Sequence, residues 1–328
     1  MELGNWIRYF RLTVATDGEN GEALDLSDFR VRFTISQNVQ GKPTTADIIV
    51  YNVSQSTVDS IQMPMNSGVP TKLKVIIEAG YQDDHAVIFQ GELWWKSVGR
   101  ESETDTFMRL IAATGDRAHQ YAVVNASIPK GATQSQIFDV VAKSMAEKGV
   151  TSSGIPHDLA TTTKLPRGKV IYMMSAKAMQ GLADTNNFEW GYGTGGLVAI
   201  AKEPKYDPNT DVIVLTAQTG LIGRPQLTVN GVELQCLINP QLDVGSLIQI
   251  DNKSIQRDAF DTTTKADLMK NASTTDAFIS ADGLYQVRFR EFVGDTRGTD
   301  WYANLIAYGV NTATKPLAPT IWTTFPNY

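Results

Sequence analysis

The sequence contains one cysteine and three histidines in 328 residues, and this scarcity limits its chemistry. A single thiol, Cys236, excludes a disulfide within the chain and a thiolate metal cluster. It lies on the apolar side of the alternating run 232–237, which predicts a buried, unreactive thiol. The histidines, His85, His119 and His157, are far apart in the sequence. We therefore expect no metal site and no cofactor.

Long apolar runs and an excess of basic charge are also missing. No apolar window approaches the roughly 18 residues of a membrane span, and residues 1–5 do not begin a signal peptide, so we expect synthesis in a reducing cytosol. The net charge is −6; residues 1–115 hold 10 Lys and Arg against 15 Asp and Glu, a balance of −5. Such a region repels the DNA backbone, which disfavours tight duplex recognition.

The motifs that resemble catalytic or binding sites all have a simpler structural explanation. Asp83-Asp84-His85 lies in a polar bend between two strands, where a solvated hairpin tip is favoured over a metal site. The glycine-rich segment 191–196 precedes a strand-like run, whereas a phosphate-binding loop requires a helix. The sequence contains no Gly-x-Ser-x-Gly nucleophile motif. We predict that the protein is not an enzyme and has no catalytic residues.

What the sequence does contain is β-type alternation at both ends. In the run 30–36, Val31, Phe33 and Ile35 alternate with polar residues, and 72–78 repeats the pattern. Other strand candidates are 6–15, 46–52, 87–98 and 106–113, with one short helix near 56–61. Six strands in residues 1–115 predict a first tube-like β-barrel.

Residues 116–219 predict a small α+β middle domain. Thr133 and Gln136 form a capping-box pattern ahead of an amphipathic helix that ends before Gly149. A second helix starts at Ser175, and strands follow at 188–191, 197–202 and 211–216.

Residues 220–315 return to strands and predict a second barrel, followed by a C-terminal tail, 316–328. Asn230-Gly231 between apolar alternating residues indicates a type I′ hairpin turn, with φ > 0 at Gly231. Later strands are expected at 247–251, 284–292 and 301–308, around a long polar loop at 252–282. The expected fold class is mainly β with an α+β insert, built as two tail-tube-like β-barrels and a mixed middle domain.

Four residues are candidates for an interface. Adjacent strand residues face opposite ways, so one of Trp94 and Trp95 should be in the core and the other at the surface. Core packing of both, with one under a neighbouring helix, stays open beside an interface role. Arg297, in the glycine-bounded turn 294–298, has a planar guanidinium suited to a subunit contact, and Trp301 begins the strand beside it.

Several segments together resemble the hub proteins of phage tail baseplates. They are 45–54, the run 219–240 continued by Val244-Gly245, the segment 283–287, the turn 294–298 and Trp301-Tyr302. The resemblance implies a homotrimer in a contractile-tail virion, with two tube-like barrels per subunit forming a ring of six around the DNA channel. It implies a tail tube protein and a central spike protein as partners, with a tape measure protein and other baseplate proteins as further candidates. DNA would pass through without sequence-specific binding.

Two other classes of function stay open. A carbohydrate-binding β-barrel module would expose aromatic residues on one face, and Trp94, Trp301 and Trp322 are candidates. A tail-associated cell-wall hydrolase is a weaker alternative, because no lysozyme-like or metallopeptidase motif is present.

Overall fold

The computed structural model describes residues 7–16, 22–63, 73–150, 164–203, 210–228, 231–251 and 283–310. The 252–282 segment, the C-terminal tail, His157 and Trp322 lie outside the described residues. The N-terminal region consists of β1 (Arg8–Ala15), β2 (Ala23–Asp25), β3 (Val31–Asn38), β4 (Thr44–Tyr51), α1 (Gln55–Ser60), β5 (Lys74–Tyr81), β6 (Asp84–Arg100) and β7 (Thr106–Thr114).

The middle and last regions follow in the same order along the chain. The middle elements are α2 (Asp116–Tyr121), β8 (Val123–Ile128), α3 (Gln134–Ala146), β9 (Lys169–Met174), α4 (Ser175–Asn186), β10 (Phe188–Gly193), β11 (Gly196–Ala201) and β12 (Val212–Val214). The last are β13 (Leu221–Thr228), β14 (Gly231–Leu237), β15 (Leu247–Gln249), β16 (Leu284–Asp295) and β17 (Trp301–Gly309). The fold is mainly β, as expected.

One 13-stranded sheet contains strands from both ends of the chain. Its main path is β13-β14-β17-β16-β3-β4-β7-β6-β5-β1-β2, and β15 pairs with β16 and β12. The link between the two ends is antiparallel pairing of β16 with β3, from Phe289 opposite Asn38 to Asp295 opposite Arg32. Apolar residues of both ends form one buried cluster, in which Phe33, Ile35 and Phe292 are fully or almost fully buried. Two tube-like barrels were expected, the first of them closed or nearly closed, but the described strands form no closed barrel.

The sheet contains the same strand order twice. The last region contributes β13, β14, β17 and β16, and the first contributes β3, β4, β7 and β6. If the four strands of a set are numbered along the chain, their order in the sheet is first, second, fourth, third in both sets. One further strand pairs with the third strand of each set: the three-residue β15 in the last region and the eight-residue β5 in the first. The sets differ beyond this point, because β12 runs parallel to β15 whereas β1 runs antiparallel to β5.

The middle region has its own apolar core. Helices α3 and α4 pack against each other and against the two-stranded β8–β9 sheet, burying Phe138, Met145 and Met179. The predicted capping box is present: the Thr133 hydroxyl accepts from the Gln136 N–H, and the Gln136 amide oxygen accepts from the Thr133 N–H.

The middle region is joined to the sheet by the β10–β11 hairpin. The Gly41 N–H donates to the Trp190 carbonyl at 2.7 Å. From β16, the buried Arg288 guanidinium donates to Glu189 at 2.7 Å and to the carbonyls of Ala201 and Lys202 at 2.7 and 3.0 Å. Burial lowers the pKa of Arg288, and Glu189 acts in the opposite direction.

The Asn230-Gly231 prediction is confirmed in its backbone conformation and corrected in its register. Gly231 has φ of +121°, as a position reserved for glycine requires. It is paired with Thr228 as the first residue of β14, so it is not a central residue of the turn. Asn230 lies outside the described residues.

Candidate interaction surfaces

Both tryptophans of β6 are exposed, Trp94 at 46% and Trp95 at 59%. The sequence predicted one inward and one outward indole, and this prediction is wrong. The reason is a β-bulge: Leu93 pairs with Ala112 and Trp95 with Ile111, so Trp94 is an extra residue without a position opposite it. An inserted residue interrupts the inside–outside alternation on which the prediction depended.

Beyond the bulge, β6 resumes its alternation. The Lys96 ammonium points to the core side and donates to the carbonyls of Val58 and Ile61 at 2.9 and 2.7 Å. Burial lowers the pKa of Lys96, although Asp59 opposes this effect. Val98 follows on the same side, opposite the buried Met108, yet it is 53% exposed. An apolar residue that faces the core side of the sheet is thus exposed near the end of β6.

Arg297 is exposed in the turn between β16 and β17. Its guanidinium donates to the Asp28 carbonyl at 2.7 Å. The neighbouring Asp295 carboxylate is buried and accepts from Arg30 at 2.7 Å and from the Arg297 and Gly298 N–H groups. Burial alone would raise the pKa of Asp295, but these donors outweigh it and the pKa lies below its ordinary value.

Trp301 is in the core, unlike the other three candidates. Its side chain is 3% exposed and packs edge-on against Phe33 and Phe10, with ring centroids 5.6 and 6.4 Å away. The Arg8 guanidinium covers the ring at 5.3 Å. The indole therefore contributes packing between strands within the subunit.

One exposed surface was not predicted from the sequence. The outward side of the β8–β9 sheet presents Val123, Val170, Tyr172 and Met174, all exposed, while Ile171 is buried on the other side. The run Val170-Ile171-Tyr172-Met173-Met174 is apolar on both strand faces, and this lack of alternation is the signal that could have revealed it.

The remaining motifs lie where the structural interpretation placed them. Asp84 begins β6 directly after the β5–β6 turn, and the His85 ring stacks on Tyr9 at 3.7 Å. The glycine-rich segment is the β10–β11 hairpin, with Gly193 opposite Gly196. Cys236 is buried in β14, and burial raises the pKa of its thiol to about 12. Within the described ranges, no three His, Cys, Asp or Glu residues are grouped as metal ligands require, and no helix is both long and apolar enough to cross a bilayer.

The family model described as baseplate hub gp41 matches residues 10–255, which is more than half of the chain. The chain belongs to the baseplate hub gp41 family. It is thus a structural protein of the phage tail baseplate. A search of curated proteins finds no match.

Two solved structures, one of a prophage tail protein and one of a type VI secretion protein, share the fold of this baseplate hub. The 43 kDa tail protein of prophage MuSo2 from Shewanella oneidensis aligns with a TM-score of 0.53 at 9% identity, over 92% of this chain and 97% of that protein. The E. coli c3393 protein aligns with a TM-score of 0.50 at 10% identity, over 89% of this chain and 74% of that protein. It is described as a component of the type VI secretion system, similar in structure to the bacteriophage T4 tail proteins gp27 and gp5.

Proposed function

We propose that the protein assembles as a homotrimeric ring that connects the six-fold tail tube to the three-fold central spike. In this proposal residues 1–115 and 220–315 are two tube-like units, 116–219 is the middle domain, and the subunit acts without catalysis. The observation that carries the proposal is the strand order that occurs twice in the sheet, once in each unit.

Two equivalent units in one chain resolve a symmetry mismatch. A trimer of such chains presents six similar sets of four strands, so it offers pseudo-six-fold symmetry to one partner and true three-fold symmetry to another. The β16–β3 pairing fixes the two units side by side, as neighbouring members of one ring would be. The shared order supports the expectation that the two units superimpose despite low identity.

The side of the sheet away from the core is suited to a DNA channel. Asp47 pairs with Arg109 there, the Nε–Oδ1 distance being 2.8 Å. The Glu291 carboxylate accepts from Ser36 and Asn304 at 3.2 and 3.1 Å. The Arg109 guanidinium is thus already paired with a carboxylate, and Glu291 adds a negative charge to the same face, so these residues favour repulsion of phosphates over binding them. DNA would slide past such a surface. Assembly in the host cytoplasm, before incorporation into the virion, completes the proposal.

The direct test is electron microscopy of the purified protein together with sedimentation. We expect three-fold rings with a mass three times that of the 36.0 kDa chain. A protein that stays monomeric at micromolar concentrations would contradict the proposed trimer.

Arg297→Ala tests whether the exposed turn contributes to assembly. We expect fewer rings or poorer incorporation into baseplates, with an unchanged melting temperature, because the exposed guanidinium makes a single hydrogen bond to the part of the subunit that the structure describes. Arg167→Ala, an exposed arginine in the middle region, is the matched control. Normal rings accompanied by loss of hydrolysis of a cell-envelope substrate would instead support an enzyme.

A further inference from the structure

The two strand sets correspond residue by residue around their bulges. In the last region, Val287 pairs with Ala307 and Phe289 with Ile306, so Arg288 is the inserted residue of β16. Trp94 is the inserted residue of β6 in the same place. The facing strands there carry Leu-Ile-Ala in both cases, at 110–112 and 305–307.

The basic side chains that follow the two bulges make the same kind of contact. Two residues after each bulge, a basic side chain turns inward and donates to backbone carbonyls: Lys96 to Val58 and Ile61, and Arg290 to Leu242 at 2.5 Å. Two residues further on lie Val98 in β6 and Phe292 in β16.

The two equivalent positions differ in one respect. Phe292 is fully buried, and it is paired with Ile35 of β3, the first strand of the other set. Val98 faces the same side of the sheet as Phe292 but is 53% exposed. Beyond Leu93, β6 pairs with β7 on one side, and no described strand pairs with its other side. Val98 therefore lacks the neighbour that covers Phe292.

The strand equivalent to β3 is β13, and its outer edge pairs with no described strand either. Strand pairing makes Leu227 the counterpart of Ile35. In the first set, Ile35 lies opposite Ala46, which lies opposite Ala112. In the last set, Leu227 lies opposite Val232, which lies opposite Ala307, the equivalent of Ala112. Two complementary edges thus lie at opposite ends of the eight-strand run.

We infer that β6 of one copy pairs antiparallel with β13 of the next copy, with Val98 opposite Leu227 and Ser97 opposite Thr228. The contact repeats between copies the β16–β3 pairing that occurs within each copy. It is head-to-tail, so it closes into a ring when the rotation between copies closes. It covers Val98. This inference rests on the proposed homotrimer and specifies its contact.

Cysteine pairs test the register. Directly opposed residues in an antiparallel pair have Cβ atoms about 4.5–5.5 Å apart, close to the separation that a disulfide spans. We expect Val98→Cys/Leu227→Cys, and independently Ser97→Cys/Thr228→Cys, to give covalent trimers under oxidising conditions. The off-register pair Val98→Cys/Gln226→Cys and each single variant are the controls, with Cys236 buried in all of them.

A charge at Val98 tests the same contact without a new bond. Since Val98 is exposed in the subunit, Val98→Glu should keep the melting temperature but weaken trimer formation at least about tenfold, because the charge would be buried between copies. Val98→Ala shortens the same side chain without adding a charge and should still form trimers. If wild-type trimers form but neither pair cross-links and Val98→Glu assembles normally, the inferred contact is wrong and the proposed ring stands. If the wild type never forms trimers, both are wrong.

Discussion

Gly231 shows how a single backbone position constrains the sheet. Its φ of +121° is a conformation that side chains rarely adopt, and a Cβ there would lie 2.9 Å from the Ala307 carbonyl oxygen and 2.8 Å from the Tyr308 ring. We expect Gly231→Val to lower the free energy of unfolding by about 1–3 kcal/mol in a denaturant titration.

The matched control is Gly195→Val, because a Cβ at Gly195 meets no atom within 4 Å. Equal stability of the two variants would contradict the strain at Gly231. The sequence predicted the positive φ from the Asn-Gly pair alone, but it could not give the register. Register depends on which residue Thr228 faces, and this is fixed by pairing between strands.

At the scale of single elements, α3 depends on its N-terminal cap. Thr133→Ala removes the hydroxyl that accepts from the Gln136 N–H, so one helical donor loses its partner. We expect a loss of about 1 kcal/mol in the free energy of unfolding of the middle region, measured by helical circular dichroism.

Ser135→Ala lies in the same helical turn and leaves the capping atoms in place, so its stability should be unchanged or slightly higher. A Thr133→Ala variant as stable as wild type would show that the cap is dispensable.

Elements whose apolar residues repeat at a regular helical or strand spacing were predictable. Elements that are short, or apolar on both faces, were not. Strand β3 alternates along its whole length and β5 from Lys74 to Ala79, and both α3 and α4 carry an apolar stripe. The six-residue α2 has too few turns to show a stripe, and β9 is apolar on both faces. The bulge at Trp94 was hidden for a related reason, because nothing in the local sequence marks an inserted residue.

At the scale of the whole molecule, Arg288 connects the middle region to the sheet. Arg288→Ala leaves the Ala201 and Lys202 carbonyls and the Glu189 carboxylate without this donor. We expect the free energy of unfolding to fall by about 1–3 kcal/mol and limited proteolysis to cleave faster between the middle region and the sheet.

Arg224→Ala, at an exposed arginine, is the control and should resist proteolysis like wild type. Equal cleavage rates in the two variants would mean that other contacts, such as Gly41 with Trp190, hold the joint alone.

The pairing of β16 with β3 was not predictable from the sequence. Alternation tells which side of a strand is buried, but it does not tell which distant strand lies beside it. Residues 32–38 and 289–295 are separated by more than 250 positions, so no local pattern links them. For this reason the sequence suggested two separate barrels, where the structure has one sheet and a shared core.

The β16–β3 pairing also has a mechanical consequence for the proposed ring. Of the six contacts between neighbouring units, three would be β16–β3 pairings within a chain. There the polypeptide tethers both units, so a broken contact re-forms without diffusion. The other three would join separate chains and could part completely. A radial load would then open the ring at alternate contacts between units, splitting it into three intact pairs of units and never into six.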